Sequence, residues 1–376
     1  MKIFLANGTS CSLNYQRKAL YQNLYQKHEL VDQVEQADVI IISETCCSTE
    51  YHLKHTVNSI INILEHKKDN AKVYITGCIT REFYPIKNLR DIQECLKKIS
   101  DEFIPQNQAL TIVDLLNTDN LKIENTFGYA EMIKNKGSAD IYISNGCLNH
   151  CTFCKTSYQK YPLTSMSLSQ LKDIINILSQ NNIKDICLYG TNISQYGFDL
   201  YHEYKLPEII KYIEEMENIK RLSLVGFSFS DAIRENFQDC LMNSSKLTYI
   251  NGSLESGSNS ILSLINKGFR SEEFVEFIRV IQSKYPKELS LSIISGFPTE
   301  TMNDVKKTLE VLKEVSPTDV QICRYINSSF VKSNKYSQLS PDQIQEHTRI
   351  YQKTLKRRNV HHSIYGNGYI YNNYHK

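Results

Sequence analysis

No apolar run in this 376-residue chain approaches the roughly 20 residues needed to cross a bilayer. The N-terminus, Met1-Lys-Ile-Phe-Leu-Ala-Asn-Gly, has an apolar stretch too short for a secretory signal and reads as a first strand. Both absences lead to the expectation of a cytoplasmic chain with no membrane partner. Net charge is nearly absent as well, at +2. It gives no global electrostatic case for nucleic acid, and leaves only a local patch as a route to one. With 41% hydrophobic and 22% charged residues, the chain has ordinary globular composition and the length of two domains. Cysteine, by contrast, is plentiful, with 11 residues. Without an export signal these are expected to stay reduced, and those with ligand spacing are better read as metal ligands than as disulfides.

Three cysteines share one short segment, Cys147-Leu-Asn-His-Cys151-Thr-Phe-Cys154. The C-x3-C-x2-C spacing brings three thiolates to one tight loop and leaves a fourth metal position open. That arrangement suits a 4Fe–4S cluster in which one iron is free for a substrate or cofactor. A structural zinc knuckle is the alternative, but zinc prefers four ligands, usually from two paired motifs, and no C-x2-C partner occurs elsewhere. His150 lies between two ligands and reads as a loop residue, because a fourth protein ligand would close the site.

The first third of the chain alternates strand and helix: Lys2–Ala6, the helix Leu13–Lys27, Asp38–Ser43, the helix Tyr51–Glu65 and Lys72–Thr76. Continuous apolar strands between helices predict a parallel sheet covered on both faces. Each strand is followed by cysteine: Cys11, the pair Cys46 and Cys47, and Cys78. Parallel strands deliver their following loops to one edge, so these cysteines are placed to meet around a second cluster. Small buried core cysteines are the competing reading.

From Asp140 to Tyr325 the pattern of strand then helix repeats six times. The predicted strands are Asp140–Ser144, Asp185–Tyr189, Arg221–Val225, Thr248–Gly252, Leu289–Ser295 and Asp319–Arg324. Amphipathic helices lie between them, such as Leu168–Ser179, Ser271–Ser283 and Thr301–Val315. The predicted fold class is therefore α/β: an N-terminal parallel α/β domain, then a partial (βα)6 barrel of TIM type whose strand C-terminal ends carry the chemistry. The expected boundaries are 1–125, a linker at 126–138, the barrel at 139–330, and a C-terminal helix, Pro341–Arg357, with a short tail over 331–376. Cys187 and Cys323 fall in barrel strands and read as core; Cys95 and Cys240 fall on helical patterns.

The cysteine loop resembles the defining motif of the radical S-adenosylmethionine (SAM) enzymes. Three other segments resemble that fold: Gly190-Thr191-Asn192-Ile-Ser-Gln-Tyr196-Gly197, Leu254-Glu255-Ser256-Gly257, and Gly296-Phe297-Pro298-Thr299-Glu300-Thr301. In the first third, Cys11-Ser-Leu-Asn14, Ala37-Asp38 to Thr45-Cys46, and Thr76-Gly-Cys78-Ile-Thr-Arg81 resemble the N-terminal domain of the methylthiotransferases. The resemblance implies two 4Fe–4S clusters, one on Cys147, Cys151 and Cys154 and an auxiliary one on Cys11, Cys46 and Cys78, with Cys47 as fallback for Cys46. It implies SAM held by Gly190, Thr191 and Asn192 at its methionine end, Glu255 at its ribose, and Gly296, Phe297 and Pro298 beside its adenosine. Taken alone, Gly190 with Asn192 reads as a turn, and Glu300 as a charge at a helix N-terminus.

The same resemblance implies reductive cleavage of SAM to a 5′-deoxyadenosyl radical, hydrogen abstraction from an unactivated C–H bond, and methylthio transfer from the auxiliary cluster. The implied partners are an electron donor such as flavodoxin or ferredoxin, a sulfur source, and a macromolecular substrate, either a peptide or protein or a tRNA adenosine. Several departures bear on that substrate. No arginine follows Cys154 in the stretch to Met166, Glu255 replaces the family's usual glutamine, and the tail after Arg357 is expected to be too short for the family's C-terminal TRAM barrel. A peptide or protein substrate is therefore preferred to tRNA. The cluster Lys353-Thr-Leu-Lys356-Arg357-Arg358 reads as a charged helix end. The rival classes are another radical SAM reaction, such as a cobalamin-linked methylase, and a non-catalytic iron–sulfur or zinc protein. No D-x-H-x-x-G corrin loop is present for the first of these.

Overall fold

The computed structural model describes residues 1–6, 24, 28–43, 45, 50–80, 89–104, 130–133, 137–154, 163–327 and 331–365. The chain divides into two compact units, Met1–Thr126 with Gly368–Lys376, and Phe127–Asn367.

The first unit is built on strands β1 (Lys2–Ala6), β2 (Glu29–Leu30), β3 (Val39–Ile42), β4 (Lys72–Ile75) and β5 (Glu102–Phe103). They pair in parallel in the order β2-β1-β3-β4-β5. All four residues of the central strand β3 are buried, as a strand covered on both faces requires. One face packs a core of Ile3, Leu5, Leu24, Val39, Ile41, Tyr74 and Ile104. The helices Glu50–His66 and Leu89–Ile99 supply the crossovers that parallel pairing demands. Two-residue strands such as β2 and β5 are too short to show a periodicity, and the sequence pattern gave no sign of them. The predicted helix Leu13–Lys27 lies outside the described residues apart from Leu24, which is helical and fully buried.

The second unit contains β6 (Ala130–Ile133), β7 (Ser138–Asn145), β8 (Thr164–Ser165), β9 (Asp185–Gly190), β10 (Arg221–Phe227), β11 (Leu247–Glu255), β12 (Glu288–Ser295), β13 (Asp319–Arg324) and β14 (His361–Tyr365). The order is β14-β13-β12-β11-β10-β9-β7-β6, with β8 paired to β7. From β7 to β13 every neighbour is parallel, which is the predicted six-unit partial barrel. The sheet is longer at both edges than the sequence pattern indicated. Antiparallel β6 flanks β7, and β14 lies parallel to β13. The C-terminal helix Pro341–Arg357 is therefore a crossover to a seventh parallel strand. That strand, His361-His-Ser-Ile-Tyr365, carries little apolar signal, because an edge strand has only one neighbour to satisfy.

Helix starts are encoded locally. Ser167, Ser228, Thr301 and Ser340 each accept a hydrogen bond from a backbone N–H of the first turn, and Thr301 and Ser340 form full capping boxes with Asp304 and Gln343. One side chain works against the fold. Lys287, just before β12, is only 5% exposed, and among the described residues its Nζ donates a hydrogen bond only to the Tyr285 carbonyl, at 3.1 Å. Burial pushes its pKa down to about 8, against the opposing pull of Glu214. At neutral pH both folded and unfolded chains carry the proton, so the fold bears the full cost of the buried charge. Between about 8 and the ordinary lysine value of 10.5 the unfolded chain holds more protons, and stability rises with pH. Lys287→Met is accordingly expected to raise the melting temperature at pH 7 by at least about 2 °C and to flatten that rise. Thermal scans of both proteins from pH 7 to 10 test this; a variant that melts lower throughout would refute it.

Candidate active site

The loops after the parallel strands of the second unit gather at one edge, and the three cysteines lie on the loop that follows β7. This loop is tied down from two sides. On one side, Thr152 donates through its backbone N–H to the Ile265 carbonyl (2.9 Å) and through Oγ1 to the Leu264 carbonyl (2.8 Å). Asn266, in the left-handed conformation that ends the helix Asn259–Ile265, donates to the His150 carbonyl at 3.3 Å. His150 is exposed, in keeping with a loop role. Cys151 and Phe153 pack against an apolar group of Ile261, Ile265, Ile294, Phe297 and Tyr325.

On the other side lies a buried polar network. Asn192 donates Nδ2 to Cys147 Sγ at 3.2 Å and to Asp231 Oδ2 at 2.9 Å. Asn149 donates to the same oxygen at 2.9 Å, and Gln195 donates to Asp231 Oδ1 at 3.1 Å. Gln195 also accepts from the Leu148 backbone N–H at 2.7 Å, fixing the loop next to Cys147. Asp231 is fully buried. Burial alone would raise its pKa, but hydrogen bonds from Asn192, Ser228, Gln195 and Asn149 outweigh burial and hold the carboxyl below its ordinary range.

Of the segments singled out in sequence, Gly190, Thr191 and Asn192 do reach the cysteine loop. Thr191 Oγ1 donates to Asn145 Oδ1 at 3.2 Å, and Asn192 touches Cys147. Gly190 also has a packing role. A Cβ there would sit 2.5 Å from the Ser144 carbonyl, so the missing side chain lets β7 and β9 close together. Glu255 ends β11 with φ +66°, a strained conformation for glutamate, and is buried beside Lys267, whose Nζ lies 3.4 Å from its carboxylate. Lys267 also donates to Ser253 at 2.6 Å.

In the turn after β12, Phe297 and Pro298 are buried and Phe297 packs edge-on to Tyr325. Glu300 is not a helix-terminus charge. It accepts from the Gly296 backbone N–H and from His347 Nδ1, both at 2.7 Å, and from the Tyr351 hydroxyl at 3.4 Å. Burial raises its pKa against these bonds. The capping carboxylate of the following helix is Asp304 instead. Glu300 thus clamps this turn to the helix Pro341–Arg357.

Asn149, Gln195, Asp231, Arg234 and Lys267 were missed as site residues in the sequence. Asn149, Gln195, Asp231 and Arg234 lie in or just after loops at the strand C-terminal edge, whereas Lys267 follows the helix Asn259–Ile265. Cys187 and Cys323 lie on β9 and β13 as expected but are half-buried. Cys95 is exposed, and Cys240 is half-buried, donating to the Phe237 carbonyl.

In the first unit, Cys11, Cys46 and Cys47 lie outside the described residues. Cys78 opens a short 3-10 turn, Cys78–Thr80, directly after β4. Thr45, the neighbour of Cys46, donates Oγ1 to the Thr76 carbonyl at 2.6 Å and accepts from the Ile79 backbone N–H at 3.2 Å. The strand ends that precede Cys46 and Cys78 are therefore joined at one sheet edge.

Comparison with known proteins agrees with both halves of this description. Residues 141–312 match the radical SAM superfamily, and residues 4–96 match the uncharacterized protein family UPF0004. A ribosomal protein uS12 methylthiotransferase, RimO, from Thermosipho melanesiensis is 26% identical over 318 residues, covering 83% of this chain and 73% of that protein. A threonylcarbamoyladenosine tRNA methylthiotransferase, MtaB, from Aquifex aeolicus is 26% identical over 349 residues, covering 89% and 83%. The chain belongs to the radical SAM methylthiotransferase family. Among solved structures, the radical SAM methyltransferase TsrM from Kitasatospora setae, with cobalamin and a [4Fe-4S] cluster bound, superposes with a TM-score of 0.55. It is 12% identical and covers 88% of this chain and 76% of that one, a likeness of fold alone.

As a radical SAM methylthiotransferase this chain is an enzyme whose cofactors are SAM and [4Fe-4S] clusters. The residues present fit that cofactor set. Among the described residues, no three or more His, Cys, Asp or Glu converge on one point as the ligands of a single ion would. Burial pushes the Cys147 thiol up, and pushes Cys151 up to about 12 despite the nearby Lys267 ammonium, so iron must displace a proton from each. Asn192 Oδ1 is buried and, among the described residues, has no hydrogen-bond partner. A buried orphan acceptor beside Cys147 suits the amino group of SAM.

Among the described residues, no helix is long and apolar enough to cross a membrane.

Proposed function

We propose that this methylthiotransferase modifies an unactivated C–H bond in a peptide or protein. Cys147, Cys151 and Cys154 would hold the cluster that serves SAM, while Cys11, Cys46 and Cys78 would hold the auxiliary cluster. Gly190, Thr191 and Asn192 meet the methionine end of SAM, Glu255 the ribose, and Gly296, Phe297 and Pro298 the adenosine. The clusters and SAM supply the one-electron and sulfur chemistry that side chains lack. The protein's own work is to orient these groups and exclude water: Asn192 presents its amide at Cys147, and Phe297 seals the site beside Cys151. An external one-electron donor of the flavodoxin or ferredoxin class and a sulfur source complete the cycle.

The observation that carries the reading is the extent of the match to RimO, which is longer than the whole unit Phe127–Asn367 and so includes the unit with Cys78. For the substrate class, the support is a net charge of only +2, which offers little to a polyanion, together with a RimO relative named for its ribosomal protein. Mass spectrometry of peptides and tRNA from cells with and without the gene tests it. A methylthio mark missing from proteins or peptides is the expected result. A mark missing only from tRNA would overturn the substrate class, and two unchanged pools would overturn the transfer itself.

A further inference from the structure

Asp231 receives more donors than any other side chain around the cysteine loop, yet it touches none of the cysteines. Its two oxygens take Nδ2 of Asn149, Nδ2 of Asn192, Nε2 of Gln195 and the guanidinium of Arg234. An ionised carboxylate can only accept hydrogen bonds. Each amide facing it must therefore turn its NH2 inward, and no flipped arrangement satisfies the network. For Asn192 the consequence is specific. The same NH2 that meets Asp231 also meets Cys147 Sγ, so the carbonyl oxygen is turned away from both and has no partner among the described residues. Gln195 is set in the same way: its NH2 goes to Asp231 and its oxygen to the Leu148 N–H.

From this geometry we propose that Asp231 is a positioning residue for SAM, acting through Asn192. By dictating the amide orientation it supplies a hydrogen bond to the Cys147 sulfur and leaves Asn192 Oδ1 free to accept from the SAM ammonium group. Arg234, half-exposed, balances the buried charge from the solvent side. Without Asp231 the amide is free to rotate, and its oxygen can then face the sulfur, where it would repel a thiolate. The inference rests on the proposed SAM site but not on the transfer reaction or its substrate.

The test uses the full chain, anaerobically reconstituted with iron and sulfide, with SAM as probe in equilibrium dialysis and in electron paramagnetic resonance of the reduced cluster. Asp231→Asn is expected to keep its iron, to bind SAM at least about tenfold more weakly, and to lose the change that SAM makes in the wild-type spectrum. In an Asn192→Ala background the same substitution should change affinity less than about twofold, because the path through Asn192 is already cut. Wild-type affinity in Asp231→Asn, or full additivity with Asn192→Ala, would overturn the proposal. If Asp231→Asn fails to assemble its cluster, Asn192→Ala alone decides: retained iron with about tenfold weaker SAM binding supports the proposal, and unchanged binding refutes it. A wild-type protein that does not bind SAM would instead refute the site reading beneath both.

Discussion

Cys151→Ala is expected to leave about four irons per chain, where the wild type holds about eight, and to reduce SAM cleavage to background. Cys147, Cys151 and Cys154 are the three thiols of one loop, and among the described residues the surrounding contacts offer no substitute ligand. His150 faces solvent, and the nearest acidic groups, Glu255 and Asp231, are already committed to Lys267 and to the amide network. Cys78→Ala should show the reciprocal pattern. It too is expected to retain about four irons, but it should still form 5′-deoxyadenosine from SAM while yielding no methylthio product. Cys95→Ala, on an exposed position of the helix Leu89–Ile99, should match the wild type in both respects. Iron analysis and product quantification on the three variants decide the matter. If Cys151→Ala still cleaves SAM, the loop after β7 is not the site of radical initiation.

The parts of this site that are contiguous in the chain were legible in the sequence; the parts made by folding were not. The cysteine loop is eight residues long, and its chemistry is carried by spacing alone. The six parallel strands were legible through their regular repeat with amphipathic helices, although β9, β10 and β13 alternate buried with less buried residues and are not continuous apolar runs. Asp231 carries no such mark. Its partners Asn149, Asn192 and Gln195 are 82, 39 and 36 residues away, and only the parallel order of β7, β9 and β10 brings them together. Glu300 stayed open between two readings for the same reason. Its position before a helix suggests a terminal charge, whereas its partners His347 and Tyr351 come from a helix more than forty residues later. Lys267 was missed because a single lysine after a helix ordinarily reads as solvated surface, and only the fold shows it buried against Glu255.

Gly226→Ala is expected to be the most damaging single-methyl substitution near the site, costing at least about 3 kcal/mol of stability. Two penalties coincide there. The residue has φ +80°, where a side chain is strained, and an added Cβ would lie 2.1 Å from the Gly190 carbonyl oxygen. That atom is backbone, so relief requires β9 and β10 to separate at their C-terminal ends. Gly190 cannot retreat the other way, since it already abuts the Ser144 carbonyl of β7. The displacement would pass directly into Thr191 and Asn192, and so to Cys147. Gly268→Ala isolates the conformational strain: its φ is +83°, but among the described residues the nearest neighbour of a Cβ is the Ser230 side chain at 3.7 Å. That variant should lose only about 1 kcal/mol and keep SAM binding. Urea unfolding and SAM affinity of the two alanine variants separate strain from collision. Equal losses in both would show that the strand ends tolerate the intrusion, and that the site does not depend on β9 and β10 closing backbone to backbone.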